Sequence, residues 1–497
     1  MRARRHTACA ATGLGLLAGC VMHAPDARPV EGPASIRVHV PPEARGSPAA
    51  PLPVSVEPTV VPVQLEVLGV DGSPRADFDG WLELRIEPGD VVRTQMSGGE
   101  RTFGPHVPVR GGRAQDVLVH VARAFGTARI WAEDVGYIPA DPATAACANG
   151  LDDDGDGRVD APLDPGCRYG NDGDEREGSH AAGVSEPLHF APPAIADVQG
   201  RTGSSPLEGR RVTVERGEMI VTRITTDGFF VSDVALDGSG LPTGEAVPWG
   251  SIFVFNFNTP PRLRVCDRIE TLSGAVVEFF GFTELTFPSW RSEDWCRDPG
   301  PCTLPSGRTI SGRRCPVPEP VVLDGTLLGT PMLEAFEAGL VRVLDAQLPE
   351  RMGPRRPARR PDGAFELLPD ATNCDLDNNG DVSLARGDPE RACNEACAAD
   401  PGCAEWNQFL EFGQFAVRSS GRVILVVTRE AVPDFDPVRR RGERLAAITG
   451  TLRHFAPLGA ERGWIVEPRC EADLAATVAD VRAPGGAGGE PPTGGPR

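Results

Sequence analysis

Between two cysteines, Cys147 and Cys167, the chain reads CANGLDDDGDGRVDAPLDPGC. Asp152, Asp154 and Asp156 alternate, Gly157 follows, and Asp160 lies three residues further on. Carboxylates at every second position of a tight loop converge on one point, and a glycine permits the turn. A hard divalent cation such as Ca²⁺ takes six to eight oxygen ligands at about 2.3–2.6 Å. Without a cation the same crowding is repulsive. The spacing predicts a structural Ca²⁺ site with Asp152, Asp154, Asp156 and Asp160 as ligands, closed by a Cys147–Cys167 disulfide. A second run, Asp375-Leu376-Asp377-Asn378-Asn379-Gly380-Asp381-Val382-Ser383, offers oxygens at positions 1, 3, 5 and 9 with glycine at 6. Its candidate ligands are Asp375, Asp377, Asn379 and Ser383, and Cys374 and Cys393 are placed to close it.

The first run resembles the calcium loops of thrombospondin type 3 repeats. It is also similar to a short disulfide-closed repeat common in secreted proteins of predatory and gliding proteobacteria. The second resembles the first part of an EF-hand or dockerin loop. At position 12, where an EF-hand has its bidentate glutamate, this chain has Arg386, and Asp388 two residues later is the candidate substitute.

The segments that must hold these loops read as strands. From 54 to 140, VPVQLEVLGV, DGWLELRIEPG, QDVLVHVARAFG and TARIWAEDVGY alternate apolar and polar residues between turn residues. The layout resembles bacterial immunoglobulin-like domains, which implies a β-sandwich. Residues 141–185 form the acidic cassette. Over 186–318, a long first strand, a short GFFVSD strand, an apolar SIFVFNF strand and a long strand bent at glycine suit a five-stranded barrel. Asp197-Val198-Gln199-Gly200, Ser205-Pro206-Leu207-Glu208-Gly209, Gly228-Phe229-Phe230-Val231, Ile252-Phe253-Val254-Phe255 and Gly274 resemble the OB-fold domain that accompanies secreted bacterial nucleases. That resemblance covers about a hundred residues and carries no catalytic step.

The same order recurs over 319–481. CDRIETLSG at 266–274 aligns with GERLAAITG at 442–450, DGFFVSD with FGQFAVRSS, and LEGRRVTVERG with FEAGLVRVLDAQ. The expectation is a second OB-like barrel with a Cys-rich insertion at about 350–405, then a disordered tail over 482–497. The fold class expected is therefore mainly β: an immunoglobulin-like sandwich, then two OB-like barrels, with disulfide-closed calcium loops.

Arg2, Arg4 and Arg5, an apolar stretch, and Leu17-Ala18-Gly19-Cys20 resemble the signal peptide and lipobox of bacterial lipoproteins. The resemblance implies a 1–19 signal, lipidation of Cys20, and a Pro/Ala-rich tether over 20–53. Val21 and Met22, with no aspartate after the cysteine, imply the outer membrane. Lipid would then be the membrane contact, since no later stretch approaches the roughly 20 apolar residues a spanning helix needs. Of 13 cysteines, those beyond Cys9 and Cys20 suit up to five disulfides and one thiol in an oxidising compartment. The formal charge of −20, with no lysine, disfavours non-specific nucleic-acid binding without excluding it.

No H-E-x-x-H, G-x-S-x-G or P-loop pattern occurs. Glu334 and Glu337, just before an expected strand, read as surface charge rather than a glycosidase pair, and His454 as a surface or packed residue. Phe253, Phe255 and Phe257 share a strand face and read as barrel core. One of the adjacent Phe279 and Phe280 should be exposed. The expectation is a non-enzymatic, calcium-stabilised outer-membrane lipoprotein with a structural, adhesive or ligand-binding role toward a surface protein or oligosaccharide. A second reading is an accessory nucleic-acid-binding OB lipoprotein associated with extracellular nuclease activity.

Overall fold

The computed structural model describes residues 35–69, 71–76, 78–134, 145–153, 155, 157–164, 166–167, 170, 175, 180–238, 242–293, 301–303, 309–311, 317–350, 355–359, 365–369, 383, 385–399, 405–406, 408–409, 412–455 and 463–478. The protein is mainly β and divides into two compact units. No helix among the described residues is long and apolar enough to cross a membrane.

The first unit takes in residues up to 45, then 59–121 and 129–188. Its strands are β1 (Ser35–His39), β2 (Thr59–Leu68), β3 (Gly80–Glu87), β4 (Asp90–Met96), β5 (His106–Val109), β6 (Arg113–Ala122), β7 (Thr127–Asp134), β8 (Gly183–Val184) and β9 (Leu188–His189). They make one sheet in the order β1-β2-β6-β4 and another in the order β5-β3-β7-β8, with β9 also on β7. Strand alternation sends every second side chain inward, so Val61, Val63 and Leu65 of β2 and Leu82, Leu84 and Ile86 of β3 are buried. β1 lies within the stretch expected to be tether. Ile36 and Val38 are buried there and the strand pairs antiparallel with β2, so the alternation in SIRVH outweighs the flanking prolines.

The second unit contains residues 46–58, 122–128 and everything from 189 on. Its two short excursions are stitched in by backbone bonds: the Leu52 N–H donates to the His189 carbonyl at 2.8 Å, and the Arg123 N–H to the Ser55 carbonyl at 2.6 Å. After α1 (Ile195–Gln199) come β10 (Arg211–Val214), β11 (Met219–Ile224), β12 (Gly228–Leu236), β13 (Pro242–Phe255), β14 (Arg268–Phe279) and β15 (Phe282–Glu293). The path β11-β12-β13-β15-β14 returns to β11, closing a five-stranded barrel in which only β13–β15 is parallel. Inside it pack Val221, Phe229, Val231, Ile252, Val254 and Leu285.

A small hairpin, β16 (Pro301–Thr303) and β17 (Thr309–Ser311), precedes β18 (Val321–Leu323) and β19 (Leu340–Gln347). A second hairpin, β20 (Arg355–Arg359) with β21 (Phe365–Pro369), and α2 (Pro389–Ala399) fall where the insertion was expected. The sheet resumes with β22 (Gln414–Ser419), β23 (Arg422–Val427), β24 (Arg444–Phe455), β25 (Gly463–Glu467) and β26 (Leu474–Ala475). Here β19-β22-β23-β25-β24 closes on β19, and β23–β25 is the parallel pair. Strand order and parallel closure thus repeat; the aligned segments 266–274 and 442–450 fall on β14 and β24, and DGFFVSD and FGQFAVRSS on β12 and β22, whereas LEGRRVTVERG falls on β10, outside the closing path. Gly274 and Gly450, equivalent in that alignment, both sit where a Cβ would collide: with Leu285 Cβ at 3.0 Å and with the Glu467 carbonyl oxygen at 2.4 Å. At each place glycine lets a long strand bend around the barrel.

The barrels meet through the outer face of β12, β13 and β15. Phe230, Phe253 and Phe282 form a buried cluster with Ala338, from the segment leading into β19. Arg223, only 5 % exposed, bonds Thr451 Oγ1 at 2.7 Å, Glu467 Oε2 at 2.6 Å and Glu430 Oε2 at 3.2 Å.

Candidate functional site

The acidic cassette is the connection between β7 and β8, which are antiparallel neighbours in one sheet. It therefore belongs to the first unit. Asp134 at the end of β7 and His180 before β8 tie its two ends, Oδ2 to Nδ1 at 3.1 Å. The Cys147–Cys167 disulfide closes it.

Asp152 accepts the N–H of Gly155 at 2.7 Å on Oδ1 and that of Gly157 at 3.0 Å on Oδ2. Asp160 accepts from the N–H groups of Asn149 and Gly150 at 3.1 and 2.9 Å. These bonds fix the two carboxylates while leaving each oxygen a lone pair. Asp154 and Asp156 lie outside the described residues. Glu175, which the spacing argument passed over, is 1 % exposed and accepts the N–H groups of Asp153 at 2.6 Å and Asp160 at 3.0 Å. Gly166 makes room for it, since a Cβ there would stand 1.6 Å from the Glu175 carbonyl oxygen. Asp164 is also buried; its Oδ1 takes the Gly166 N–H at 2.6 Å, whereas Oδ2 has no hydrogen-bond partner. Buried polar atoms are nearly always partnered, so an orphaned carboxylate oxygen in an oxygen-rich loop fits a cation. The Cys147 and Cys167 sulfurs approach Glu175, but in a disulfide they offer no thiolate.

In the second loop only Ser383 of the four candidates is described. Its N–H donates to Glu390 Oε2 at 2.8 Å, and Glu390 is buried. Asp388, the expected substitute ligand, instead caps the start of α2, accepting the Glu390 N–H at 2.9 Å. Asp375, Asp377, Asn379 and Cys374 lie outside the described residues, as does Cys20. Cys266 and Cys393 are in disulfides and Cys470 is a free thiol.

A third grouping arises where the barrels meet. Thr330 Oγ1 accepts the Met332 N–H at 3.3 Å and Pro331 opens a 3₁₀ turn, Pro331–Phe336. Three residues per turn set Glu334 and Glu337 in one row. Both are buried, Glu337 to 2 % exposure, which corrects their reading as surface charge. Leu333 and Ala335, on the other two rows of the turn, are buried as well, so the turn is enclosed on all sides there. His454, from β24, is 1 % exposed and stacks on Trp464 with ring centroids 4.4 Å apart. One ligand atom from each of Glu334, Glu337 and His454 lies within 4.8 Å of the others. The first barrel walls this space: Gly281 O is 2.8 Å from His454 Nδ1, and the Thr283 N–H donates to Glu337 Oε2 at 3.2 Å. Burial, then repulsion from Glu334 and Glu278, holds the Glu337 carboxyl well above the usual carboxylate range, against the pull of Thr283 and Gln199. Burial similarly raises Glu278, and takes Glu284 to about 7.

The phenylalanines divide differently from expectation. Phe253 points outward from its barrel into the junction, Phe255 is half-buried, and Phe257, beyond the end of β13, is exposed. Phe255, Phe257 and Phe287 form a chain of rings 4.6 and 5.1 Å apart. Phe279 and Phe280 are both exposed, because Phe280 and Gly281, at φ 53° and 84°, turn the β14–β15 hairpin and end the alternation. Comparison of the chain with protein-family models and with curated proteins finds no match.

Proposed function

We propose that this chain is a non-enzymatic, calcium-stabilised outer-membrane lipoprotein that presents a ligand-binding surface built on an immunoglobulin-like sandwich and two OB-like barrels. The observation that carries the calcium reading is the Cys147–Cys167 loop, where the carboxylates of Asp152 and Asp160 are pre-set by backbone donors. The OB-like reading is supported by the closure of each barrel through one parallel strand pair. The lipoprotein reading rests on Leu17-Ala18-Gly19-Cys20. Residues holding the ion would be Asp152 and Asp160, with Asp154 and Asp156 from the same run; Asp164 is not grouped with Asp152 and Asp160 within 4.8 Å and is not counted among them. Bound there, Ca²⁺ neutralises the loop and fixes the β7–β8 connection. Chelation of the purified chain is expected to lower its melting temperature and open 150–166 to protease, with Ca²⁺ restoring both. Unchanged melting and protease resistance after chelation would refute the reading.

The Phe255–Phe257–Phe287 chain supports a stacking surface for an oligosaccharide or for bases. One observation favours the nucleic-acid reading: Arg211 Nη1 donates to the Phe287 carbonyl oxygen at 3.4 Å, so a cation is held at the backbone of one residue of that chain of rings. Binding of single-stranded DNA at about 50 and 200 mM salt separates the two, because phosphate contacts weaken steeply with salt. Salt-sensitive binding lost in Arg211→Ala selects nucleic acid; no binding selects the first reading.

A further inference from the structure

We propose that Glu334, Glu337 and His454 bind one divalent transition-metal ion of the zinc class, fastening the second barrel to the first. The inference is independent of the calcium loop, which lies in the other unit.

Three kinds of observation converge on it. The first is the ligand set. Two carboxylates and an imidazole, each with a donor atom within 4.8 Å of the others, suit a borderline cation such as Zn²⁺. Calcium, which takes oxygen ligands, has no use for the imidazole. A proton shared between two carboxyls needs no imidazole in the set either. The second is the way the imidazole is held. A backbone carbonyl only accepts, so the 2.8 Å contact to Gly281 puts a proton on His454 Nδ1 and leaves Nε2 as the ring atom that can ligate a metal in the neutral imidazole. That is the usual outer-sphere arrangement of a metal-bound histidine. Stacking on Trp464 fixes the ring plane.

The third is an orphaned atom. Glu337 is 2 % exposed, and while Oε2 takes the Thr283 N–H, Oε1 has no partner at good hydrogen-bond geometry, only the weaker pull of the Gln199 amide. The nearby Gln199 amide directs Nε2 to the Ser251 carbonyl at 2.6 Å. Burying such an atom unmatched is costly, and a cation removes the mismatch. Charge agrees, since a dication balances two carboxylates. Burial of all three side chains favours a structural ion over one open to substrate. The Gly281 and Thr283 contacts come from the first barrel, so fixing the three ligands fixes the junction.

The test uses the full mature chain, stripped by chelator and kept in saturating Ca²⁺. Titration with Zn²⁺ should show one ion bound per chain with micromolar or tighter affinity. Glu337→Gln and His454→Gln should each weaken this at least about 100-fold, beyond the ~10–100-fold typical of losing an outer-sphere partner. Glu337→Gln preserves shape and removes a buried carboxylate, so the stripped variant should melt no lower than the parent. The Co²⁺-loaded parent should show visible d–d bands and a hyperfine-shifted, exchangeable imidazole N–H resonance. This readout needs no variant. The proposal is overturned if the stripped parent takes up no Zn²⁺, if natively folded variants keep parental affinity, or if the Co²⁺ form shows no shifted imidazole proton.

Discussion

Glu284 gives the most quantitative handle on the junction. It lies on β15 between β13 and β14, on the face that also carries Phe282, over whose ring Arg453 sits at 5.4 Å. Burial raises its carboxyl to about 7, opposed by Arg453 and aided by Asp227 and Glu278. An unfolded glutamate titrates near 4.3. Below that value both states hold the proton and folding gains or loses nothing. Between it and about 7 the folded chain holds a proton that the unfolded chain has released, so stability falls as pH rises, by up to ~1.4 kcal/mol per unit. Integrated over the window the ceiling is about 3.5 kcal/mol, and partial solvation discounts it to roughly 2. Glu284→Gln removes the titration. Denaturant melts of metal-free protein from pH 4 to 8 should show the variant gaining on the parent by roughly 2 kcal/mol across that range, with the gain complete above about 7. Parallel curves for parent and variant, or a parent that becomes more stable over this range, would refute the reasoning.

Two further substitutions test the packing. Arg223→Met removes four hydrogen bonds from a buried guanidinium, but Glu467 keeps Arg453 at 3.5 Å and Glu430 is 40 % exposed. The cost should sit below the ~3–5 kcal/mol of breaking a buried pair, at about 2–3 kcal/mol, and a loss under ~1 kcal/mol in denaturant melts contradicts the bridge. Replacing Cys147 and Cys167 together by serine frees a loop with a sequence separation of 20 and should cost about 3 kcal/mol. Calorimetry that finds no change would mean that hydrogen bonds such as those of Glu175 alone hold the cassette.

What the sequence disclosed follows from the range of each signal. Strand alternation is local, and so is the Cys147–Cys167 bracket; both emerge as read. The barrel repeat was visible because 266–274 and 442–450 keep the same bend glycine. The Glu334–Glu337–His454 cluster was not, because a histidine more than a hundred residues away carries no local trace of its partners. The 3₁₀ spacing of the two glutamates was in view, yet acids before a strand ordinarily face water. The Phe253 face was misassigned for a related reason. Alternation tells that one side of β13 is covered and does not say whether the barrel interior or a second barrel covers it. Glu175 was missed because it sits outside the disulfide bracket and reaches back into it.

The course of the chain through the second unit bears on how the molecule can be dissected. Residues 46–58 and 122–128 belong with the barrels although sheet strands of the first unit precede, separate and follow them. A fragment starting at 189 would carry both barrels but lack the segment whose Leu52 bonds His189 and the one whose Phe125 packs on the barrel core. No single cut in the polypeptide yields two complete halves. Recombinant pieces divided by linear boundaries should therefore be judged as wounded folds, and limited proteolysis that nicks 122–128 should loosen the barrels as well as the strands on either side.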